Sequence, residues 1–334
     1  MSSVWFLLFC ACVVGLVSAD IKLRHNFEDA ELHFEAFIEK HNKQYADEHE
    51  KQARFQIFKD HLAKVKEIHE KTNSSSAFGV TQFMDLTIEE FRKMYTGLVV
   101  GENKCPLIVD ADIPDQGAPE AFDWRKNNGV TPVKDQAQCG SCYAFSAIGN
   151  IESQQLIKNK VTIDLSEQQI VDCDTKNLGC NGGFMDIAFR SIMEAGGVQA
   201  EEDYPYQARS QDCVFDASKV KVKVSGCNSY KLVSQEKLKQ QLYHYGPISI
   251  AIKADALMYA TGTDIIDDDA CDAGQINHGV LLVGYGKEGT VPYWVVKNSW
   301  GASWGDSGYF RIKRGETAHS CAMMNKYMAG SVVA

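Results

Sequence analysis

The run Gln136-Ala137-Gln138-Cys139-Gly140-Ser141-Cys142-Tyr143-Ala144-Phe145 places Cys142 just where an apolar, helix-patterned stretch begins. A thiol in the first turn of a helix meets unpaired backbone amides and the positive end of the helix dipole, both of which favour thiolate over thiol. A nucleophile needs that state, and it also needs a base. Three histidines follow Cys142: His244, His278 and His319. His278 ranks first, because Ile276-Asn277-His278-Gly279-Val280 sets it at the start of an apolar strand-like run that would hold the ring rigidly. Asn298, in Lys297-Asn298-Ser299-Trp300-Gly301, ends the next such run. Its amide would fix the second ring nitrogen without adding charge, and Trp300 would shield that bond from water.

Each of these signals has a plainer reading when taken singly. A cysteine at CxxC spacing is more often a disulfide or metal ligand, and a lone histidine before a strand is usually structural. Zinc would want a second close Cys or His pair, and Cys139 with Cys142 has none at finger spacing. No metal and no cofactor are therefore expected. The nucleophile reading gains from the joint order Gln136, Cys142, His278, Asn298.

The elements that must position these residues can be read around them. Between Pro119 and the C-terminus, helical periodicity runs over Ala144 to Ile157 and Ile187 to Met193, the latter stopped by Gly196-Gly197. Short β-branched or aromatic runs follow at 221–230, 247–253, 279–285, 293–297 and 309–313. The expectation is an α+β architecture, a helical subdomain packed on a β subdomain with a cleft between. Upstream, Phe34, Phe37 and Ile38, then Phe55, Phe58, Leu62, Val65 and Ile68, fall at helical spacing. Phe27 extends the first set. Thr87 with Glu90 is a capping box opening a third short helix, which Gly97 closes. Leu98 to Gly117 has little periodicity and reads as an exposed linker, open to proteolysis.

The chain has 334 residues, 45% of them hydrophobic, enough for a large core or two folding units. Residues 1–19 carry no charge, run apolar from Val4 to Val17 and end Val17-Ser18-Ala19. They read as a secretory signal peptide, with a signal anchor as the alternative. No later stretch suits a membrane span. A formal charge of −10 without basic blocks speaks against nucleic acid or anionic lipid as partners. Of eleven cysteines, Cys10 and Cys12 would leave with the signal. The remaining odd number in an oxidising compartment asks for one free thiol. Asn73 opens a glycosylation sequon, Asn73-Ser74-Ser75.

These motifs closely resemble the papain-like cysteine peptidases, in particular the cathepsin L, F and viral cathepsin group, and the cysteine signature is itself a worked example of such local motifs. The resemblance covers nearly the whole chain after the signal. It implies a two-subdomain fold, helical on the left and β-barrel-like on the right, at residues 118–334, preceded by a helical inhibitory propeptide at 20–117. It further implies that Cys142 attacks the peptide carbonyl, that His278 carries the proton, that Asn298 orients it, and that Gln136 with the Cys142 amide holds the oxyanion. Gly182 and Gly183, in Gly179-Cys180-Asn181-Gly182-Gly183, match the family's substrate rail. Asn277 and Trp300 flank the cleft. Phe184, Met185, Ala251, Ile276 and Gly279 would wall the main specificity pocket, and Lys326 would stand at its floor, giving an apolar P2 preference with acidic P2 tolerated. Tyr143 replaces the commoner Trp and keeps an aromatic wall.

The same resemblance pairs Cys139 with Cys180, Cys173 with Cys213, and Cys271 with Cys321. Cys105 and Cys227 remain, and two capped thiols or a bond tying the linker to the mature domain both stand. In the propeptide, Glu50, Arg54 and Phe58 fit the family's helix motif, while His61, Val65 and His69 replace Asn, Ile and Asn. Gly79, Phe83 and Asp85 fit the next motif, with Thr81 replacing Asn. Six histidines, His25, His33, His41, His49, His61 and His69, precede the linker. Their protonation near endosomal pH would loosen the segment, or they are merely solvated. The implied partners are protein and peptide substrates, the protein's own propeptide and cystatin-like inhibitors, in a monomeric endopeptidase zymogen of the secretory pathway, lysosomal or extracellular. A catalytically dead binding protein would show one machinery residue replaced. A disulfide-rich storage or adhesive protein would have no use for the inhibitory segment.

Overall fold

A computed structural model of the chain describes residues 29–71, 77–232, 234–262, 264–267, 271, 275–315 and 320–334. The signal segment at 1–19, Phe27, His25, Asn73 and His319 lie outside the described residues.

Two amphipathic helices open the described chain, α1 (Ala30–His41) and α2 (Glu48–Lys71). Asp29 caps the first by accepting from the Leu32 amide, and Asn42 in the left-handed region ends it. Phe34 and Phe37 of α1 and Phe58, Leu62 and Val65 of α2 close on Met84 in a core of their own. The expected capping box forms at the third helix, α3 (Ile88–Tyr95), with Thr87 and Glu90 exchanging bonds. Arg54 fastens α2 to that cap, 2.7 Å from Glu90 and 3.1 Å from the Asp85 carbonyl.

The linker expectation is corrected in part. Leu98, Cys105 and Ile113 are buried, and β1 (Leu107–Val109) is a sheet strand, because its backbone finds β5 (Val224–Lys231) as a parallel partner. Val99 and Val100 remain exposed. After β2 (Phe122–Asp123) come α4 (Cys142–Asn159), α5 (Glu167–Cys173) and α6 (Met185–Ala195), the last ended by Gly196 in the left-handed region. A small ribbon pairs β3 (Val198–Gln199) with β4 (Val220–Val222). Helix α7 (Gln235–Tyr245) leads to β6 (Ile248–Ile252), β7 (Ile265–Ile266), β8 (His278–Glu288), β9 (Val291–Lys297), β10 (Tyr309–Lys313) and β11 (Met328–Val333).

Nine strands form one mostly antiparallel sheet in the order β1-β5-β11-β6-β8-β9-β10-β7, with β2 on β8. The edge strands β1 and β7 do not meet, so the barrel-like expectation gives way to an open, coiled sheet. Strand β8 is apolar along nine buried positions because α4 covers one face and the other faces the main core. That core holds Trp294, Phe310 and Ile250 together with Ala77, Phe78, Phe83 and Phe91 of the N-terminal segment. A second core under α4, α6 and β11 contains Tyr143, Ile148, Phe189 and Val333.

Disulfides join Cys139 to Cys180, Cys173 to Cys213, Cys271 to Cys321 and Cys105 to Cys227, and Cys142 alone is free among the described cysteines. Among the described residues no helix is long and apolar enough to cross a membrane.

Phe58 is fully buried in the N-terminal core, so Phe58→Ala is expected to destabilise that segment by about 3–5 kcal/mol. Thermal unfolding of the full chain should then show an earlier first transition, with the main transition unmoved.

Candidate active site

Helix α4 and strand β8 meet at their first residues. Cys142 opens the helix, His278 opens the strand, and the Gly279 amide donates to Cys142 Sγ at 3.3 Å. A Cβ at Gly279 would stand 3.1 Å from Met185 Sδ and in ordinary contact with the helix backbone, so a side chain there would require Met185 to shift. His278 is fully buried, with Nε2 2.8 Å from Asn298 Oδ1. Its Nδ1 is buried without a hydrogen-bond partner. The Trp300 ring stacks on His278 at 4.9 Å, covering the histidine–asparagine bond.

Gln136 is placed from the other side, its amide donating to the Ser299 carbonyl at 2.8 Å. Its Oε1 accepts from Ser299 Oγ at 2.7 Å and its Nε2 donates to the Cys139 carbonyl at 2.9 Å, which fixes the carboxamide and leaves a second N–H. Ser141 gives α4 no side-chain cap. Its Oγ meets Tyr206 Oη at 2.7 Å, and Tyr206 in turn donates to the Gln136 carbonyl at 2.8 Å. Sequence reading missed Tyr206 and Ser299 as positioning groups, since nothing in their spacing marks them.

The N-terminal segment lies across this site. Gly97 and Leu98 amides donate to the Asn277 carbonyl at 3.1 and 2.9 Å, the Gly183 amide to the Gly97 carbonyl at 2.9 Å, and the Val99 amide to the Gly183 carbonyl at 2.9 Å. Gly97 at φ +135° is required, because a Cβ there would stand 2.2 Å from the Gly140 carbonyl. Gly182 faces the same strand, and its Cβ would meet Gly97 O at 2.6 Å. The side chain of Asn277 is tied to Asp255, which also pairs with Arg92 of α3. Tyr95 takes the Trp300 indole N–H on its carbonyl at 2.8 Å, and Phe83 and Phe91 meet the same indole edge-on.

Leu98 is buried in the cluster that holds Phe184, Met185 and Ala251, with Ile276 and Tyr327 packed against it. Lys326 is a correction: it is exposed, with its ammonium 5.3 Å from the Tyr327 ring, rather than on the pocket floor. Solvation of the ammonium decides this, and Tyr327 takes the place instead, edge-on to Phe184 at 5.7 Å. Its position one residue on was hidden by the weak pattern through Ala322-Met323-Met324-Asn325. Tyr143 sends its hydroxyl to the Gly179 carbonyl at 3.1 Å.

Burial pushes the Cys142 thiol up to about 12 and the His278 imidazole down to about 4, although the Asn298 bond pulls the latter upward. The helix end and the Gly279 amide favour thiolate but do not overcome desolvation. Burial therefore opposes charge on both groups in the covered site, while the helix end and the Gly279 amide favour the thiolate and the Asn298 bond favours the imidazolium.

The chain matches the family described as papain family cysteine protease over residues 118–331, and the cathepsin propeptide inhibitor domain over residues 34–91. It is 41% identical over 327 residues to the viral cathepsin of Heliothis zea nuclear polyhedrosis virus, covering 93% of this chain and 88% of that one. The viral cathepsin of Bombyx mori nuclear polyhedrosis virus is 41% identical over 337 residues, covering all of both chains. Among solved structures, digestive procathepsin L2 from Tenebrio molitor larval midgut superposes with a TM-score of 0.83 at 33% identity, over 91% of this chain and 99% of that one. The protein belongs to the papain family of cysteine proteases, and what is described is its proform, with the inhibitor domain in place.

Because Cys142 is fully buried under the N-terminal segment, alkylation of Cys142 by iodoacetamide at pH 8 should be at least about 10²-fold slower in the intact proform than after removal of that segment. Mass spectrometry of the Cys142 peptide reads both rates.

Proposed function

We propose that the protein is a cysteine endopeptidase zymogen acting through Cys142, His278 and Asn298, with activation in acid by cleavage of the inhibitory segment, residues 20–117, from a peptidase domain at 118–334. The observation that carries this is the backbone of Gly97–Val99 laid on Gly183 and Asn277 above a buried Cys142, because it occupies backbone groups that a substrate backbone would need. The occupant of the apolar pocket is a leucine, which supports aliphatic or aromatic P2 residues. With Lys326 directed away, no preference for acidic P2 is proposed.

Once water reaches the cleft, the desolvation that opposes charge on both groups falls, and the proton passes from sulfur to His278. The thiolate then attacks the scissile carbonyl carbon, and the oxyanion takes the free Gln136 N–H and the Cys142 amide. His278 returns its proton to the leaving amine as the C–N bond breaks, leaving a thioester. Water, deprotonated by His278, hydrolyses that ester and restores the thiol. Asn298 keeps the ring's other nitrogen engaged throughout, so that the imidazolium does not rotate away. Gln136→Ala should lower kcat by about 10²–10³-fold while active-site thiol titration is unchanged. Acid incubation of the purified proform tests the whole reading: a smaller species should form, cleave peptides after an apolar P2, and lose all turnover in Cys142→Ala or with an irreversible thiol-directed inhibitor. Processed protein without Cys142-dependent turnover would favour a binding role.

Two histidines support acid release. His61 bridges Tyr259 Oη at 2.8 Å and the Leu86 carbonyl at 2.7 Å, and burial lowers its pKa. His41 is lowered to about 4 by burial and by Lys40 and Lys43, against an upward pull from Asp85, and its Nε2 is buried without a partner. The His61 contact crosses to Tyr259 of the peptidase domain, so that ring charges more readily when the segment is free, whereas His41 packs on Phe37 within the segment and charges more readily when the segment itself opens. Stability from them is therefore complete above about pH 6.5 and falls as pH drops from there toward the docked values. The Arg54–Glu90 bond holds Glu90 below its usual range, so its contribution is lost only in stronger acid. His61→Asn, alone or with His69→Asn, should move the pH of half-processing downward, and an unchanged threshold in a pH series would remove the histidines from the account. A secretory route ending in lysosome or extracellular space, a monomeric state and sensitivity to cystatin-like inhibitors complete the proposal.

A further inference from the structure

The Cys105–Cys227 disulfide has no part in the chemistry above, yet it crosses from the segment that should leave to the domain that should stay. It links positions 122 apart in sequence, with Cα atoms 5.4 Å apart, and both cysteines are buried. Acid weakens the docking contacts made by histidines, but it does not open a disulfide.

The chain around Cys105 is bound to the peptidase domain on every side. Amides of Lys104 and Cys105 donate to Asp186 Oδ2 at 3.1 and 3.0 Å. Asp186 is fully buried in the first turn of α6, where it also accepts from Ser229 Oγ at 2.9 Å and Arg190 Nε at 2.9 Å. Were this stretch to leave, a buried carboxylate would lose two of its partners and β5 would lose a neighbouring strand, both costly. On either side the chain is open to proteases, at exposed Val99 and Val100 and again at 115–117. Asp186 directly follows Met185, so the contact bears on the pocket wall made by Phe184 and Met185.

Resting on the protease reading above, we propose that the stretch around Cys105 is a permanent part of the mature enzyme, retained through Cys227 after the inhibitory helices have gone. There it acts as a positioning strap that holds Asp186, and with it one wall of the specificity pocket. Whether the first cut falls before or after Cys105 alters the length of what is retained, not the linkage.

The test uses full-length secreted protein processed in two ways: by itself in acid, and, as Cys142→Ser, by an added aspartic protease. Intact mass is measured with and without reductant after removal of released peptides, followed by nonreducing peptide mapping. The expected result in both arms is a Cys105–Cys227 peptide pair on the processed domain. Where a second cut has fallen downstream, reduction also releases the Cys105 fragment. Absence of Cys105 from the processed domain, with Cys227 free or bonded elsewhere, overturns the proposal. Failure of self-processing with retention in the added-protease arm would count against acid autoactivation alone. In Cys105→Ser with Cys227→Ser, molecules cut downstream of position 105 should lose the stretch, and in them the ratio of kcat/KM for Phe over Val at P2 should change by about tenfold. Asp186→Asn should shift the same ratio in the same direction and gives the reading if the double variant is not secreted. An unchanged ratio in the variant that is obtained refutes the positioning role.

Discussion

Everything at the site depends on how closely the first turn of α4 approaches the first residues of β8. The contact from the Gly279 amide to Cys142 Sγ marks that distance, 3.3 Å. From it follow the burial of His278, the seat of Asn298 at the end of the neighbouring strand β9, and the need for an aromatic cover over both. Gln136 joins the same assembly through Ser299, the residue after Asn298. The four polar groups are thus fixed by two backbone junctions and not by separate loops, which is how a site is held to the small tolerance that acyl transfer requires.

The same closeness explains why covering the cleft silences it. A thiol and an imidazole in a buried junction are costly to charge, since neither charge would be solvated. The N-terminal segment enforces dryness at three places: Gly97–Val99 over the cleft, Phe83, Phe91 and Tyr95 against Trp300, and Ala77–Gly79 against Tyr259–Thr261. The last contact is an isolated antiparallel bridge between Phe78 and Ala260. Inhibition therefore needs no chemistry of its own, only exclusion of water and occupation of the backbone bonds.

Much of this was legible in the sequence because its signals are local. The capping box at Thr87, the amphipathic spacing of Phe58, Leu62 and Val65, and the glycine stop after α6 each follow from near neighbours, and the chemical order from Gln136 to Asn298 marks the site. What was missed is nonlocal. That β1 is a strand is decided by β5, more than a hundred residues away, and three residues carry no periodicity. The upward push of burial on the Cys142 thiol depends on what lies over it, which a helix terminus does not announce. Lys326 was misplaced because a pocket floor is set by the path of the chain through positive-φ residues such as Cys321 and Ala322, not by counting from a cysteine.

One further consequence lies in the shared core. Phe78, Phe83 and Phe91 belong to the same buried cluster as Trp294, Trp300 and Phe310, so the domain that remains is shaped around a template it then discards. Removing that template strips apolar cover from the very sheet it helped to order. The form left behind therefore carries on its surface apolar side chains that the proform keeps in its interior.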